Sequence, residues 1–238
     1  MRLDKFVCKS TKLSKQQAQA SIEAGLVKIN DNTVFDIKAQ VHQNNKVTLD
    51  QVPLILRPFR YIMLHKPANT ICSNHDEAYP SIFNFLNIEH KEELHCVGRL
   101  DVDTTGLVLI TDDGHWSFNI TRPEKQCEKT YLVGVSQTLK SSLVAEFKAG
   151  LQLQGESELT LPAKLTLLDE KNATLAITQG KFHQVKRMFA SVGNRVVSLH
   201  RQSIATLTLD IPEGQWRYLS DAEIASLIPS LKEKRESA

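Results

Sequence analysis

Strand-like segments dominate the chain from residue 61 onwards, and no regularly spaced helices separate them. They are YIMLHK, GLVLIT, KTYLVGV, LQLQG, AKLTLLD, ATLAITQ and VVSLHRQSIATLTLD. Their apolar and β-branched residues are typical of strands. Parallel neighbours would need a crossover connection, usually a helix, between each pair. This order therefore predicts an α+β fold with a mainly antiparallel sheet and flanking helices, rather than a doubly wound parallel sheet.

Helices are predicted at fewer places. They are SIFNFL (81–86), a segment from about residue 115 that ends before Pro123, SSLVAEFKAG (141–150), FHQVKRMFASVG (182–193) and DAEIASLIPSLK (221–232), followed by a frayed polar tail. The chain contains no apolar run near the roughly 18 residues that a membrane span needs. We therefore expect no membrane partner.

Charge divides the chain into two parts. Residues 1–60 carry ten Lys or Arg against five Asp or Glu, whereas residues 61–238 carry 19 against 22. A basic head on a nearly neutral body is typical of a polyanion-binding module joined to another domain. Because residues 51–60 hold two prolines, we place a linker there. The predicted domains are 1–55 and 60–230.

The head reads as two helices and a hairpin. Ser14 and Gln17 form a capping box, so a second helix should start near Lys15 and end at Gly25. The strands LVKIN, TVF and KVTLD follow, with a turn at Asp31-Asn32. A lone stripe of lysines is more often a solvated helix face, but two helices and a hairpin that are basic on one side make RNA binding an equally good interpretation. The candidate RNA-binding residues are Arg2, Lys5, Lys9, Lys12 and Lys15.

Four aspartates crowd the stretch GRLDVDTTGLVLITDDG, residues 98–114. D-x-D followed by LITDD resembles the magnesium site of haloacid-dehalogenase-like phosphatases. The spacing of the two acidic pairs and the surrounding pattern do not fit that family. Asp103, Asp112 and Asp113 read as turn and cap residues. Asp101 differs from them because a buried strand, Gly106–Thr111, follows closely and would hold a loop carboxylate rigidly.

The same stretch resembles the second motif of pseudouridine synthases of the RsuA/RluA type, G-R-L-D, two residues, T-x-G-L-L-L-L-T. KTYLV at 129–133 resembles their K-x-Y strand, and GKFHQVKRMF at 180–189 resembles their third motif, G-x-x-H-Q-x-[KR]-R-M. MLHKP at 63–67 resembles their opening N-K-P motif, with His65 in place of asparagine. RLDKFV, Ser14 to Ala18 and Gly25 to Asn30 resemble an S4 RNA-binding domain.

This resemblance implies roles for individual residues. Asp101 would be the nucleophilic carboxylate, and Lys186 would be its partner, with Arg187 as the alternative partner or a phosphate contact. Tyr131 would stack on the uracil, although a lone strand tyrosine is more often core. Arg99 would face the RNA. Whether Asp101 attacks C1′, attacks uracil C6 or removes a proton stays open.

The reaction is an isomerisation, so we expect neither a cofactor nor a metal. The cysteines lack C-x-x-C spacing and the histidines lack an H-x-x-x-H pair, as expected for a chain without a metal site. DVDTTGLVLITDDGHW and CEKTY are most similar to the RsuA-type members, which modify small-subunit (16S) rRNA. We expect a cytoplasmic monomer acting on rRNA in a partly assembled small subunit. The alternatives are a large-subunit rRNA synthase and a non-catalytic assembly factor.

Overall fold

The computed structural model describes residues 1–42 and 44–227, which form two compact units. The first unit is Met1–Phe59, and the second begins at Arg60. Within the described ranges, no helix is long and apolar enough to cross a membrane. The second half of the last predicted helix, from residue 228, and the polar tail lie outside the described residues.

The first unit packs two helices against a four-stranded antiparallel sheet of order β2-β1-β3-β4. Its elements are α1 Leu3–Ser10, α2 Lys15–Glu23, β1 Val27–Ile29, β2 Asn32–Thr33, β3 Val47–Leu49 and β4 Val52–Pro53. The predicted capping box at Ser14 and Gln17 is confirmed. The hairpin turn lies one residue earlier than predicted. Asn30 and Asp31 both have positive φ, as a two-residue type I′ turn requires, and Asn32 already pairs with Ile29.

The second unit contains most of the helices and strands. Its elements are β5 Tyr61–Lys66, β6 His95–Cys96, β7 Thr105–Thr111, α3 Gly114–Thr121, β8 Lys129–Val135, α4 Leu143–Ala149, β9 Lys164–Leu167, β10 Asn172–Ile177, α5 Gln184–Ser191, β11 Val196–Ile204, β12 Leu207–Thr208, β13 Trp216–Tyr218 and α6 Asp221–Ser226. Short 3-10 helices occur at Ile82–Phe85, Lys91–Glu93 and Pro123–Lys125. SIFNFL therefore forms a 3-10 helix.

One sheet of nine strands forms the body, with the main order β13-β5-β7-β11-β8-β10-β9. β12 pairs with β11, and β6 pairs with β7. In the described part of the chain, only β7 and β11 pair in parallel. This arrangement confirms the mainly antiparallel α+β prediction. The predicted strand LQLQG is wrong, since that segment makes only an isolated bridge between Gln152 and Leu159.

The body sheet buries side chains on both faces. In β5, Ile62 and Leu64 join the larger core with α4 and α5, whereas Met63 joins the core beneath α3. Strands covered on both faces read as continuous apolar runs, which explains the sequence of β7. Gly106 lies where β7 meets β11, and a Cβ there would overlap the backbone of Arg201. This close contact fixes the start of β7 beside the loop that carries Asp101.

Candidate active site

A cleft of about 1060 Å³ in the second unit brings together side chains from distant parts of the sequence. Its wall combines the loop before β7, the strands β8 and β11, and the segment that leads into α5. Four residues singled out by the sequence line it: Arg99, Asp101, Tyr131 and Lys186. Arg187 does not line it. The cleft is therefore the candidate active site.

Asp101 lies in the loop between β6 and β7, and hydrogen bonds hold the backbone of that loop. The Thr104 N–H donates to the Asp101 carbonyl at 3.1 Å, and the Asn69 N–H donates to the Val102 carbonyl at 2.9 Å. The Asp101 side chain is 26% exposed, so solvent and substrate can still reach it. This combination of a fixed backbone and an accessible carboxylate suits a reacting group.

A fully buried cation, Lys66, ties the same loop to β5. Its Nζ donates to the carbonyls of Pro67 at 3.1 Å, Val102 at 3.2 Å and Thr104 at 2.8 Å. Burial lowers the pKa of Lys66, and this effect outweighs that of the nearby anionic groups. Because a charge is buried only where bonds compensate it, we assign Lys66 to positioning the loop. Sequence reasoning missed this role, although a lysine ending an apolar strand was a usable signal.

A pair of thiols, Cys72 and Cys96, also lies against this loop. The Leu100 N–H donates to the Sγ of Cys72 at 3.4 Å, next to Asp101 in the chain. A hydrogen bond from Cys96 lowers the pKa of Cys72 to about 6. The same pairing raises the pKa of Cys96. Both cysteines are free thiols. The loop is thus held both by a cation and by a sulfur acceptor.

Lys186, on α5, bridges the two aspartates of the D-x-D pair. Its Nζ lies 3.1 Å from Oδ2 of Asp101 and 2.6 Å from Oδ1 of Asp103. The hydrogen bond from Lys186 holds the pKa of Asp103 below its usual range. Burial disfavours the ammonium most strongly, but the hydrogen bonds to Asp103 and Asp101 together outweigh it and raise the pKa of Lys186. Asp103 lies in a turn, as predicted, and it also pairs with Lys186, which the sequence did not predict.

The other two aspartates of this stretch have structural partners. Asp113 caps α3 by accepting from two backbone N–H groups, and it accepts the Tyr61 hydroxyl at 2.8 Å. Asp112 pairs with Arg60 at 2.9 Å. Across residues 1–42 and 44–227, no three His, Cys, Asp or Glu side chains are grouped so that they could hold a metal ion. The cation that Asp101 and Asp103 share is the ammonium of Lys186.

His183 is a neighbour of Asp101 that the sequence did not single out. Its Nε2 lies 3.5 Å from Oδ1 of Asp101, a contact that is ionic only when the imidazole is protonated. His183 precedes α5 with φ of 48° and ψ of 33°, in the left-handed region. This backbone turn aims its ring toward the carboxylate. The conformation depends on the tertiary fold, since no local pattern required it.

Tyr131 and Arg201 are paired directly across the strands β8 and β11. Both line the cleft, and both are almost completely buried, at 7% and 2% exposed. The Arg201 Nε donates to the Leu107 carbonyl at 2.7 Å, but its buried Nη2 has no hydrogen-bond partner among the described residues. Tyr131 also belongs to the hydrophobic core, so the core interpretation and the site interpretation both apply to it.

Arg187 points away from Asp101, so it is not the alternative partner of that carboxylate. Its guanidinium pairs with Glu156 at 3.1 Å and donates to the carbonyls of Gln154 at 2.6 Å and Phe182 at 3.1 Å. These contacts join the segment before α5 to the loop after α4. The physical reason is helical spacing, because adjacent residues of a helix point about 100° apart. Arg99 is exposed at the wall of the cleft.

The candidate RNA-binding cations of the head differ in their surroundings. α1 ends at Ser10, so Lys12 lies beyond the helix and not on its face. Arg2 is engaged by the buried Asp4 at 2.7 Å, and Lys9 lies over the Phe59 ring at 4.4 Å. The remaining predicted cations are exposed; these are Lys5, Lys12 and Lys15.

Family models match both parts of the chain. One described as RNA pseudouridylate synthase matches residues 60–191, and one described as S4 domain matches residues 1–47.

Curated relatives cover nearly the whole chain. A ribosomal small subunit pseudouridine synthase A from Haemophilus influenzae is 45% identical, over 96% of this chain and 100% of the relative. Relatives with the same description from Vibrio cholerae and Escherichia coli are 41% and 42% identical. They cover 95% and 96% of this chain, and 99% and 100% of themselves. A crystal structure of a pseudouridylate synthase is 44% identical with a TM-score of 0.71, over 96% of this chain and 100% of that one.

Proposed function

Because this chain belongs to the RNA pseudouridylate synthase family, with an S4 domain at its N-terminus, we propose that it converts a specific uridine of small-subunit (16S) ribosomal RNA to pseudouridine, with Asp101 as the reacting carboxylate. The family resemblance predicted from the sequence motifs is confirmed. The observation that carries the site assignment is the Asp101 carboxylate, which is accessible in the cleft, fastened through its loop and 3.1 Å from Lys186.

The reaction itself dictates what the site must supply. The N1–C1′ bond of uridine breaks, the detached uracil turns, and a C5–C1′ bond forms. The proton on C5 leaves to solvent, and N1 gains a proton. Substrate and product are isomers, so the balance requires no oxidant, reductant or phosphate donor. The site must provide a carboxylate, an enclosing wall for the free base, and a route for one proton.

The cleft residues fit these requirements in distinct ways. Asp101 starts the cleavage of the glycosidic bond, and the Lys186 ammonium balances its charge. Tyr131, in the wall of the cleft, stacks on the uracil and accepts the proton from C5. Arg99, exposed at the wall, contacts the RNA from which the uridine has been extruded. Arg187 braces the segment before α5 and is assigned no contact with the reacting atoms.

The small-subunit target is supported by the relatives, all three of which are described as small-subunit enzymes. The exposed lysines of the head would bind RNA phosphates and make the affinity fall as salt rises. We propose that the substrate is rRNA in a partly assembled small subunit, and that the protein acts as a cytoplasmic monomer. Light scattering during size-exclusion chromatography, with and without RNA, would test the oligomeric state.

Tritium release tests the chemistry. RNA carrying tritium at uridine C5 is incubated with the protein in the presence of EDTA, and the released tritium is measured. We expect release by the wild type, loss in Asp101→Asn and substantial retention in Asp103→Asn. Release that requires Mg²⁺ and falls equally in both variants would favour metal chemistry. No release from any rRNA or pre-ribosomal particle would favour a non-catalytic binding factor.

A second experiment tests the target. Protein-free 16S rRNA, partly assembled small subunits, mature small subunits and 23S rRNA are treated in parallel. New pseudouridines are then mapped by carbodiimide modification and reverse transcription. We expect one new site in small-subunit RNA, with the highest yield in the partly assembled particle. A single site in 23S rRNA with none in 16S rRNA would overturn the target while leaving the chemistry intact.

A further inference from the structure

Phe182 is the most exposed aromatic side chain in the described part of the chain, at 74%. It lines the same cleft as Asp101, yet nothing in the chemistry above uses it. Single exposed apolar side chains are common on protein surfaces. An exposed aromatic ring at a nucleic-acid cleft differs, because every nucleobase offers a flat π-face to stack on it.

The Phe182 ring is stacked on the ring of His183. Their centroids lie 3.8 Å apart, and their planes are inclined by 20°. His183 in turn contacts the Asp101 carboxylate at 3.5 Å. One face of Phe182 is therefore covered by His183, and the high exposure of the side chain leaves the opposite face open. The open face lies two contacts away from the reacting carboxylate.

Several strong contacts hold this pair of rings in place. Glu156 pairs with Lys181 at 2.8 Å and with Arg187 at 3.1 Å, one on each side of Phe182 in the chain. Arg187 also donates to the Phe182 carbonyl at 3.1 Å. The backbone that carries the ring is thus clamped from both sides. A ring with a fixed backbone loses little conformational entropy when a flat ligand stacks on it.

We propose that the open face of Phe182 stacks on an unpaired base next to the target uridine, an inference that rests on the proposed function. Extruding the uridine deprives its neighbour of a stacking partner, and an aromatic ring replaces it. Arg99, exposed in the wall of the cleft, binds a phosphate of the same strand. Phe182 then holds the RNA strand so that the extruded uridine reaches Asp101.

Steady-state kinetics on a substrate accepted by the wild type test this role. Phe182→Ala and Phe182→Leu should each raise KM by about 5- to 150-fold, the range expected for one lost base–aromatic stack, with kcat within twofold of wild type. Phe182→Trp keeps a flat ring and should retain a KM close to wild type. Tyr218→Leu, at a half-exposed tyrosine on β13 that does not line the cleft, is the matched control and should change neither constant.

A purely supportive role would give a different pattern. If Phe182 served only to hold His183 beside Asp101, kcat would fall at unchanged KM, and leucine would substitute better than alanine. That outcome overturns the stacking proposal. Equal KM values for wild type and Phe182→Ala overturn it as well. If the wild type isomerises no RNA at all, the proposed function and this inference both fail. If the wild type is active and Phe182→Ala has the same KM, only this inference fails.

Fluorescence supplies a readout that a structural role would not move. 2-Aminopurine is placed in the RNA at each neighbour of the mapped uridine in turn, and at a site several nucleotides away. We expect that binding of the wild type quenches the fluorescence of one neighbouring probe. Phe182→Leu at saturating concentration should leave the fluorescence of that probe unquenched. The distant probe should respond equally to both proteins. If Phe182→Leu quenches each neighbouring probe as strongly as the wild type does, the proposal is contradicted.

Discussion

Replacing Lys66 by methionine should destabilise the second unit and slow the reaction together. Methionine keeps an unbranched side chain, shorter than lysine by the ammonium group, and so removes three hydrogen bonds to loop carbonyls at 2.8–3.2 Å. Bonds from charged donors contribute about 1.5–3 kcal/mol each, hence roughly 4.5–9 kcal/mol in total. Removing a buried ammonium recovers several kcal/mol of desolvation. We expect a net loss of about 2–4 kcal/mol, which leaves a domain of ordinary stability folded.

The catalytic effect follows from the position of the loop. Without Lys66, the carbonyls of Val102 and Thr104 lose a hydrogen-bond donor. The backbone of Asp101, which precedes Val102 in the same loop, then becomes more mobile. A shift of about 1 Å in a reacting group costs on the order of 100-fold in rate. Tritium release should therefore show kcat reduced by about 10- to 100-fold with KM nearly unchanged. Thermal melts should show a midpoint lowered by about 4–16 °C.

The control is Lys148→Met, at an exposed lysine on α4, which should match the wild type in both assays. A Lys66→Met protein that melts earlier but keeps full kcat would refute the link between this lysine and the Asp101 loop. The pH dependence adds a check. Because burial lowers the pKa of Lys66, this side chain loses its proton at a lower pH in the folded protein than in the unfolded chain, where its pKa is 10.5. Between these two pKa values the unfolded chain binds more protons, so the free energy of unfolding rises with pH. Wild type should then gain stability over Lys66→Met as pH increases across that window.

Three further perturbations have expected outcomes. The hydrogen bond to Asp103 helps to raise the pKa of Lys186. Asp103→Asn should therefore keep its activity at neutral pH, but its activity should fall at a less alkaline pH than that of the wild type. Identical pH–rate profiles would contradict this. Gly106→Ala should lower the melting temperature markedly, because φ is 113° and a Cβ would overlap the Arg201 backbone; an unchanged melt would refute the clash. Glutamine at the three exposed head lysines should reduce the log–log salt slope of RNA binding by about 2–3, and an unchanged slope would remove the head from the phosphate contacts. These lysines are Lys5, Lys12 and Lys15.

Local patterns in the sequence determined much of the architecture. The capping box at Ser14 encodes the start of α2 within four residues, and the apolar run of β7 encodes a strand buried on both faces. The absence of regularly spaced helices between strands predicted the antiparallel sheet. The motif around Asp101 indicates the family without reference to the fold. Each of these signals depends on residues close together in the chain, and therefore on propensity, capping and periodicity.

Only the tertiary structure decided which side chains meet. Lys186 pairs with Asp101, which lies 85 residues earlier in the chain, and also with Asp103. The adjacent Arg187 pairs with Glu156 instead. Lys66 ends an apolar strand, but which carbonyls its ammonium binds depends on the tertiary fold, as does the exposure of Phe182. The physical reason is that side-chain direction and burial follow from how distant elements pack. The sequence therefore named a family and a carboxylate, and the packing of the sheet and α5 around the cleft determined the partners of that carboxylate.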